Sequence, residues 1–326
     1  MQKVLVIDGA DLMEKTETCL VTGGAGFIGS HLCDSLIAKG FKVICLDNLL
    51  TGSKKNIEHL IGNPNFEFVN EDVTREIVYE GRLDYIFDLA SPASPVDFEK
   101  LSEEILTVNS IGVLNTLKLA KEKKARFLMA STSEVYGDAL ENPQKETYHG
   151  NVNSFGRRSA YDEGKRFAEA ACYVYLHKYD LDVRIVRIFN TYGPRMRIDD
   201  GRALITFVIQ AIKNKPFTIF GDGSQTRSFC YVSDLVEGLI KMMFSEKTKG
   251  EVINLGNPEE YTMNDLAEKI KKMTGASSEI VHKDLPPDDP KQRRPDISKA
   301  EKVLGWKPAV SVDEGLQKTI EYYRSF

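Results

Sequence analysis

Residues 19–32 read CLVTGGAGFIGSHL: an apolar, β-branched run, then Gly23-Gly24-Ala25-Gly26-Phe27-Ile28-Gly29, then the opening of an amphipathic stretch. The G-x-x-G-x-x-G spacing between a strand-like run and a helix-like run lets the backbone turn sharply and approach a pyrophosphate. The phosphate oxygens then face the unpaired N–H groups of a helix N-terminus. The next strand-like run, FKVICLD (41–47), ends on Asp47. A carboxylate there accepts the ribose hydroxyls and repels a 2′-phosphate, which favours NAD over NADP. Asp72, closing the third run FEFVNED (66–72), is a candidate neighbour of the adenine.

Outward from this loop, CLVTGG, FKVICLD, FEFVNED, YIFDLAS, RFLMAST and VRIVRIFN read as six strands rich in β-branched and aromatic residues. Helical patterns separate them. In EEILTVNSIGVLNTLKLAKEKK (103–124), Ile105, Val108, Ile111, Leu114, Leu117 and Leu119 recur at close to helical spacing. This alternation predicts an α/β fold: a Rossmann-type, doubly wound parallel sheet covered by helices on both faces. After Asn190-Thr191-Tyr192-Gly193-Pro194 the character changes, and turn-rich pieces (GPRMRIDDGR, FGDGSQTRS, LPPDDPKQRRPD) interrupt shorter elements. Residues 17–190 are therefore expected to form the NAD-binding domain, and 191–326 mainly a smaller C-terminal lobe that closes over the strand ends. Residues 1–16 are expected to be an appendage without a catalytic role. KVLVID within them resembles a strand, and an added edge strand, an arm and an upstream start codon are all open.

The chain has 326 residues, 42% hydrophobic and 28% charged, with a net charge of −5. That describes an ordinary globular protein and argues mildly against a nucleic-acid binder, which normally carries a basic patch. Five dispersed cysteines without a C-x-x-C pair read as reduced, buried thiols of a cytoplasmic protein. Five isolated histidines offer no metal-ligand spacing, so no metal is expected. No apolar run reaches the ~18–20 residues of a membrane span, and residues 1–16 lack the features of a secretory signal.

The chemistry is expected elsewhere. STSEVY (131–136) ends the fifth run, and YDEGK (161–165) places Tyr161 and Lys165 at i and i+4 on one helix face. A lysine ammonium near a phenol favours the phenolate and turns a weak acid into a usable base. A bare Y-x-x-x-K is most often a surface pair; its meaning here comes from the glycine loop and from Ser131-Thr132 at a strand end.

From residue 18 to the C-terminus the chain resembles the extended short-chain dehydrogenase/reductases acting on nucleotide sugars, and within them the UDP-glucuronic acid decarboxylase (UDP-xylose synthase) family. VTGGAGFIGSHL, LDNLLTG, LASPASP, ASTSEVYGD, YDEGKR, RIFNTYGPRM, GDGSQTRSF, YVSDLV, NLGNPEE, and DDPKQRRPDISKA with LGW carry the resemblance. It implies that Tyr161, assisted by Lys165, removes the sugar O4 proton as hydride leaves C4 for NAD⁺. The resulting β-keto acid loses CO₂, and protonation at C5 with return of hydride gives UDP-xylose. It implies a catalytic set of Thr132, Ser133, Glu134, Tyr161, Lys165 and Arg293. Cofactor contacts are implied at Gly23, Gly26, Phe27, Ile28, Gly29, Asp47, Asn48, Thr51, Gly52, Asp72, Val73, Leu89, Ser91, Ala130, Tyr161 and Lys165. UDP-sugar contacts are implied at Asn190, Arg202, Phe220, Gln225, Arg227 and Arg293. Without the resemblance, Arg293 with Lys291 and Arg294 reads as a solvated basic run. Asp199-Asp200 and Asp288-Asp289 read as loop polarity.

A homodimer through the helices around 102–122 and 160–178 is also implied. Three departures stand out: Thr107 where the family pattern has lysine, His149 where tryptophan is common, and SFGRRS in place of a proline-containing segment before Tyr161. A UDP-sugar 4-epimerase would share the hydride chemistry but give Glu134 no purpose, and a 4,6-dehydratase would place an aspartate at Ser133. A non-enzymatic NAD-sensing regulator would keep the glycine loop while discarding the Tyr161–Lys165 pair.

Overall fold

Seven parallel strands form the central sheet: β1 (Thr18–Thr22), β2 (Lys42–Leu46), β3 (Phe66–Val69), β4 (Tyr85–Asp88), β5 (Arg126–Thr132), β6 (Val183–Ile188) and β7 (Val252–Leu255). Their spatial order is 7-6-5-4-1-2-3. The computed structural model describes residues 5–7, 16–284 and 292–325. Register is set by pairs such as Leu20 with Ile44 and Ile86, and Ala130 with Val186. The strand order reverses between β1 and β4, and this switch point opens the crevice in which α/β sheets bind ligands.

The six expected strands are all present. Their near-continuous apolar sequences follow from burial on both faces. Cys19 and Val21 face a core shared with Cys33, Leu36 and Leu235, whereas Leu20 faces one shared with Leu117, Met129 and Cys172. Helices Phe27–Ala38 (α1) and Val232–Phe244 cover the first face. Val113–Lys123 and Ser159–Tyr179 (α2) cover the second. Each fully buried Leu, Ile or Val contributes about 1.5–3 kcal/mol over its exposed state.

The structure differs from the expectation in two places. The helix expected over 103–124 is interrupted: Ser102–Thr107 and Val113–Lys123 are α-helical, but Val108–Gly112 forms a π-turn. The chain also does not stay in the second lobe after residue 190. Residues 232–255 return to cover the sheet and to add β7 beside β6. The lobe proper contains a three-stranded sheet in which Thr226–Ser228 pairs with Glu260–Thr262 and with Gln292–Arg293, setting Arg227 opposite Arg293.

Leu5–Ile7 pairs in parallel with Ile77–Tyr79, apart from the main sheet. The rest of 1–15, together with Asp288, Asp289 and Lys291, lies outside the described residues. No helix among the described residues is long and apolar enough to cross a membrane. Leu106, Ile111, Leu114, Phe167, Tyr173 and Val174 leave an exposed apolar face along the helices flanking the π-turn and along α2.

Candidate active site

One cleft of about 1460 Å³ runs along the carboxyl ends of β1–β6, and every residue expected in the cofactor, catalytic or sugar sites lines it. Its first half is built by the glycine loop. Gly23 adopts φ +67°, and its N–H donates to Leu46 O at 2.8 Å, pinning the loop to β2. A Cβ on Gly29 would stand 2.2 Å from Gly23 O and 2.8 Å from Gly24 Cα, both backbone atoms, so only glycine fits there. A Cβ on Gly26, the residue capping α1, would meet only Gly23 O at 3.1 Å. The helix N-terminus is thus open to the cleft at the position a pyrophosphate needs, and the loop fits a dinucleotide.

Asp47 follows directly on β2, with Oδ2 accepting from Ala25 N at 3.0 Å and Oδ1 from Leu49 N at 2.8 Å. Burial raises its carboxyl above the usual range, while those N–H donors work in the opposite direction. Gly52 lies against it, since a Cβ there would be 2.8 Å from both carboxylate oxygens. Asn48 donates to Asp72 Oδ2 at 3.0 Å, and Thr74 holds Asp72 Oδ1 from its N–H at 2.8 Å and its hydroxyl at 2.7 Å. Thr51, Val73, Leu89, Ser91 and Ala130 complete this half, with Phe27 and Ile28 at the first turn of α1.

At the chemical end, β5 stops at Thr132, whose Oγ1 accepts the N–H of Glu134 at 3.2 Å and caps a 3₁₀ turn over Ser133–Tyr136. That turn is why Glu134 follows a threonine and a serine: it swings the carboxylate off the strand end into the cleft. Arg158 Nη2 donates to Glu134 Oε2 at 2.5 Å, and Arg293 Nη2 donates to the same oxygen at 2.8 Å. Burial alone would raise the Glu134 carboxyl, but Arg293 and Arg158 outweigh it and hold the group near 2. Arg293 is 1% exposed, and its Nη1 donates to Ser133 O and Gly137 O, each at 2.9 Å. The guanidinium expected to reach outward to the sugar is committed to the Ser133–Gly137 turn.

Tyr161 and Lys165 are both buried on α2. Lys165 Nζ donates to Ala130 O at 2.9 Å, and burial, opposed by Asp88, lowers it to about 8. The lowering of the phenol by Lys165 expected from their spacing is absent here. Burial raises the Tyr161 hydroxyl, and the opposing influences come from its hydrogen bond with Thr132 and from Arg202. The physical reason is that the ammonium points toward the β5 carbonyl and the ring stacks on Phe98, with centroids 4.7 Å apart.

On the lobe side, Arg202 is held by Asp200 at 2.6 and 2.8 Å, Arg227 Nη1 donates to Thr226 O at 2.8 Å, and Gln225 Nε2 donates to Phe220 O at 2.6 Å. Asn190 lines the cleft while its carbonyl accepts from Cys230 N at 2.9 Å. Asp200 therefore has a contact role that the sequence reading withheld.

Three residues at the site were missed. Arg158 comes from SFGRRS, noted in the sequence only as a departure. Phe98 stacks on Tyr161. Asn109, in the π-turn, donates to Ser91 Oγ at 2.9 Å and keeps a buried Oδ1 without a hydrogen-bond partner. A Cβ on Gly164 would touch Asn109 Cβ at 3.1 Å, so the π-turn and α2 interlock beside Lys165.

Residues 20–319 match the family model described as GDP-mannose 4,6 dehydratase. UDP-glucuronic acid decarboxylase 1 of Arabidopsis thaliana is 53% identical over 306 residues, 94% of this chain and 69% of the relative. The Xenopus tropicalis protein of that name is 50% identical, covering 94% of this chain and 72% of the relative. Among solved structures, Bacillus cereus UDP-glucuronic acid 4-epimerase, with UDP-glucuronic acid and NAD, matches with TM-score 0.85 at 32% identity over 94% of this chain and 99% of that one. Thermotoga maritima UDP-glucose 4-epimerase with UDP-glucose matches with TM-score 0.86 at 32% identity, again over 94% and 99%. The chain belongs to the extended short-chain dehydrogenase/reductases acting on nucleotide sugars and, within them, to the UDP-glucuronic acid decarboxylase family.

Proposed function

We propose that the chain is an NAD-dependent UDP-glucuronate decarboxylase that forms UDP-xylose and CO₂. The observation that carries this reading is Glu134, held by two arginines beside Tyr161, in a chain half identical to decarboxylases over almost its whole length. Gly23, Gly26, Gly29 and Asp47 would hold NAD, with Asn48 and Asp72 beside the adenosine half. Held there, NAD would supply the hydride acceptor at the sugar C4 and the donor for its return.

The chain's own residues supply the rest. Tyr161, hydrogen-bonded to Thr132, takes the O4 proton and later returns it; Lys165 is held one turn further along α2 by the Ala130 carbonyl. When the carboxylate leaves, its electron pair moves toward the 4-keto oxygen, which the Tyr161 and Thr132 hydroxyls are placed to stabilise. C5 then takes one proton, so the net reaction consumes UDP-glucuronate and a proton. An arginine paired with the sugar carboxylate would stabilise the ground state and oppose its departure. Glu134 prevents this by occupying Arg158 and Arg293. Arg202, Arg227, Asn190, Gln225 and Phe220 are left to position the UDP portion, for which guanidinium forks suit phosphoryl oxygens.

The 4-epimerase is the second reading, favoured by the likeness to a structure named for the same acid sugar. Supplying UDP-glucuronate and UDP-glucose separately and weighing the products separates the two. Decarboxylation lowers the mass of the glucuronate product by CO₂, whereas epimerisation leaves it unchanged. We also place the enzyme in the cytoplasm, in keeping with five buried free cysteines, and as a homodimer through the apolar face at Ile111 and Phe167.

A further inference from the structure

Asp162 follows Tyr161 in the first turn of α2 and is 5% exposed. Its Oδ2 lies 3.9 Å from Arg158 Nε, too far for a hydrogen bond. Its Oδ1 is buried without a hydrogen-bond partner. Arg158 leans the other way, with Nη2 on Glu134 Oε2 at 2.5 Å and its guanidinium over the Phe98 ring at 5.1 Å from the centroid. Two carboxyl groups thus share one arginine unequally.

A buried carboxylate oxygen without a donor is costly, and such a group keeps its proton instead. The charged groups facing Asp162 are Glu134 from the turn after β5, Arg293 from the lobe strand, and Arg158 and Glu163 from its own helix end. Burial and Glu134 prevail over the two arginines and push the Asp162 carboxyl up to about 8.

We propose that Asp162 is a positioning residue of the decarboxylation centre: as a neutral acid it leaves Arg158 to Glu134, and on losing its proton it draws Arg158 away. The clamp on Glu134 then loosens, and Arg158 no longer helps to hold that carboxylate ionised and in place. The inference rests on the decarboxylase reading for its consequence in turnover, but the position of the proton is independent of that reading.

Two measurements test it. Infrared difference spectra of the full chain, titrated in H₂O and D₂O, should show the carbonyl stretch of a protonated carboxyl that disappears as pH rises through about 8. Asp162→Asn should remove that band. In the second measurement, kcat for UDP-glucuronate is followed against pH and normalised to each enzyme's own maximum. Lys165, also near 8, shapes the alkaline limb in both proteins. Wild type should lose one further proton's worth of rate, up to roughly tenfold more per pH unit than Asp162→Asn. The absence of a titrating band in wild type, or superimposable normalised profiles, overturns the proposal. A band that titrates as expected in a protein that releases no CO₂ from UDP-glucuronate overturns the decarboxylase reading, and the role in turnover with it, while the proton stays where it is placed.

Discussion

Glu134→Gln keeps the shape of the side chain and removes its charge, and the structure allows both consequences to be sized. Arg293 is 1% exposed and loses its only carboxylate hydrogen bond among the described residues, keeping the Ser133 and Gly137 carbonyls. Breaking a buried pair costs about 3–5 kcal/mol. The retained carbonyls place this variant near the lower end, which lowers Tm by on the order of 5 °C. The sign with pH follows from the direction of the shift. Glu134 is lowered from 4.5 to about 2, so its stabilisation is present above 4.5 and is lost as pH falls toward 2. The Tm gap between wild type and variant should close over that window.

The chemical effect of this variant is larger. Arg158, no longer facing a carboxylate at position 134, can turn toward the sugar carboxylate, and a hydrogen bond to a charged group contributes about 1.5–3 kcal/mol. That stabilises bound substrate but must be lost as CO₂ leaves, slowing release about 10–100-fold before any proton-transfer role is counted. With loss of an acid–base group, the expected fall in kcat is ~10²–10⁴-fold, with KM unchanged or lower. CO₂ release and reduced-cofactor absorbance should be followed in one sample. Near-normal CO₂ release, or a loss confined to KM, refutes the role assigned to Glu134.

Three further outcomes are expected. Gly29→Ala forces a Cβ to 2.2 Å from Gly23 O; the loop must shift at a cost of about 1–3 kcal/mol, and calorimetric titration should show NAD binding weakened accordingly. Asp47→Ala should weaken NAD and relax discrimination against NADP; an unchanged NAD/NADP preference in the same titration counts against its placement at the ribose. Phe167→Glu combined with Ile111→Glu should shift sedimentation from dimer to monomer at micromolar concentration, and a monomeric wild type would remove the proposed interface.

The sheet was legible because parallel strands buried on both faces are mostly apolar and β-branched or aromatic, so β1–β6 stand out without any pairing information. β7 was not, because VINL is short and sits in the turn-rich half; its partner β6 lies 64 residues earlier (252 less 188). The glycine loop and the Tyr161–Lys165 helix were readable because their geometry is local. Arg158 was not, since its contact with Glu134 depends on how an irregular segment returns over the strand ends. The π-turn was hidden for a different reason: an apolar pattern at near-helical spacing looks the same whether or not one turn is widened. The direction of the Lys165 side chain depends on the Ala130 carbonyl, which spacing along a helix does not reveal.

The return of residues 232–255 to the sheet bears on how the protein is made. Until β7 arrives, β6 is the open edge of a six-stranded sheet, with a row of unpaired backbone groups and the apolar side chains Val183, Ile185 and Val186 around it. Such an edge invites pairing with another chain. The β6 edge is therefore paired only once residues 252–255 have been translated, after the segment between β6 and β7. A fragment ending at residue 190 leaves β6 unpaired and should accumulate in inclusion bodies, whereas the full chain pairs β6 with β7 and packs Ser298–Leu304 against β7.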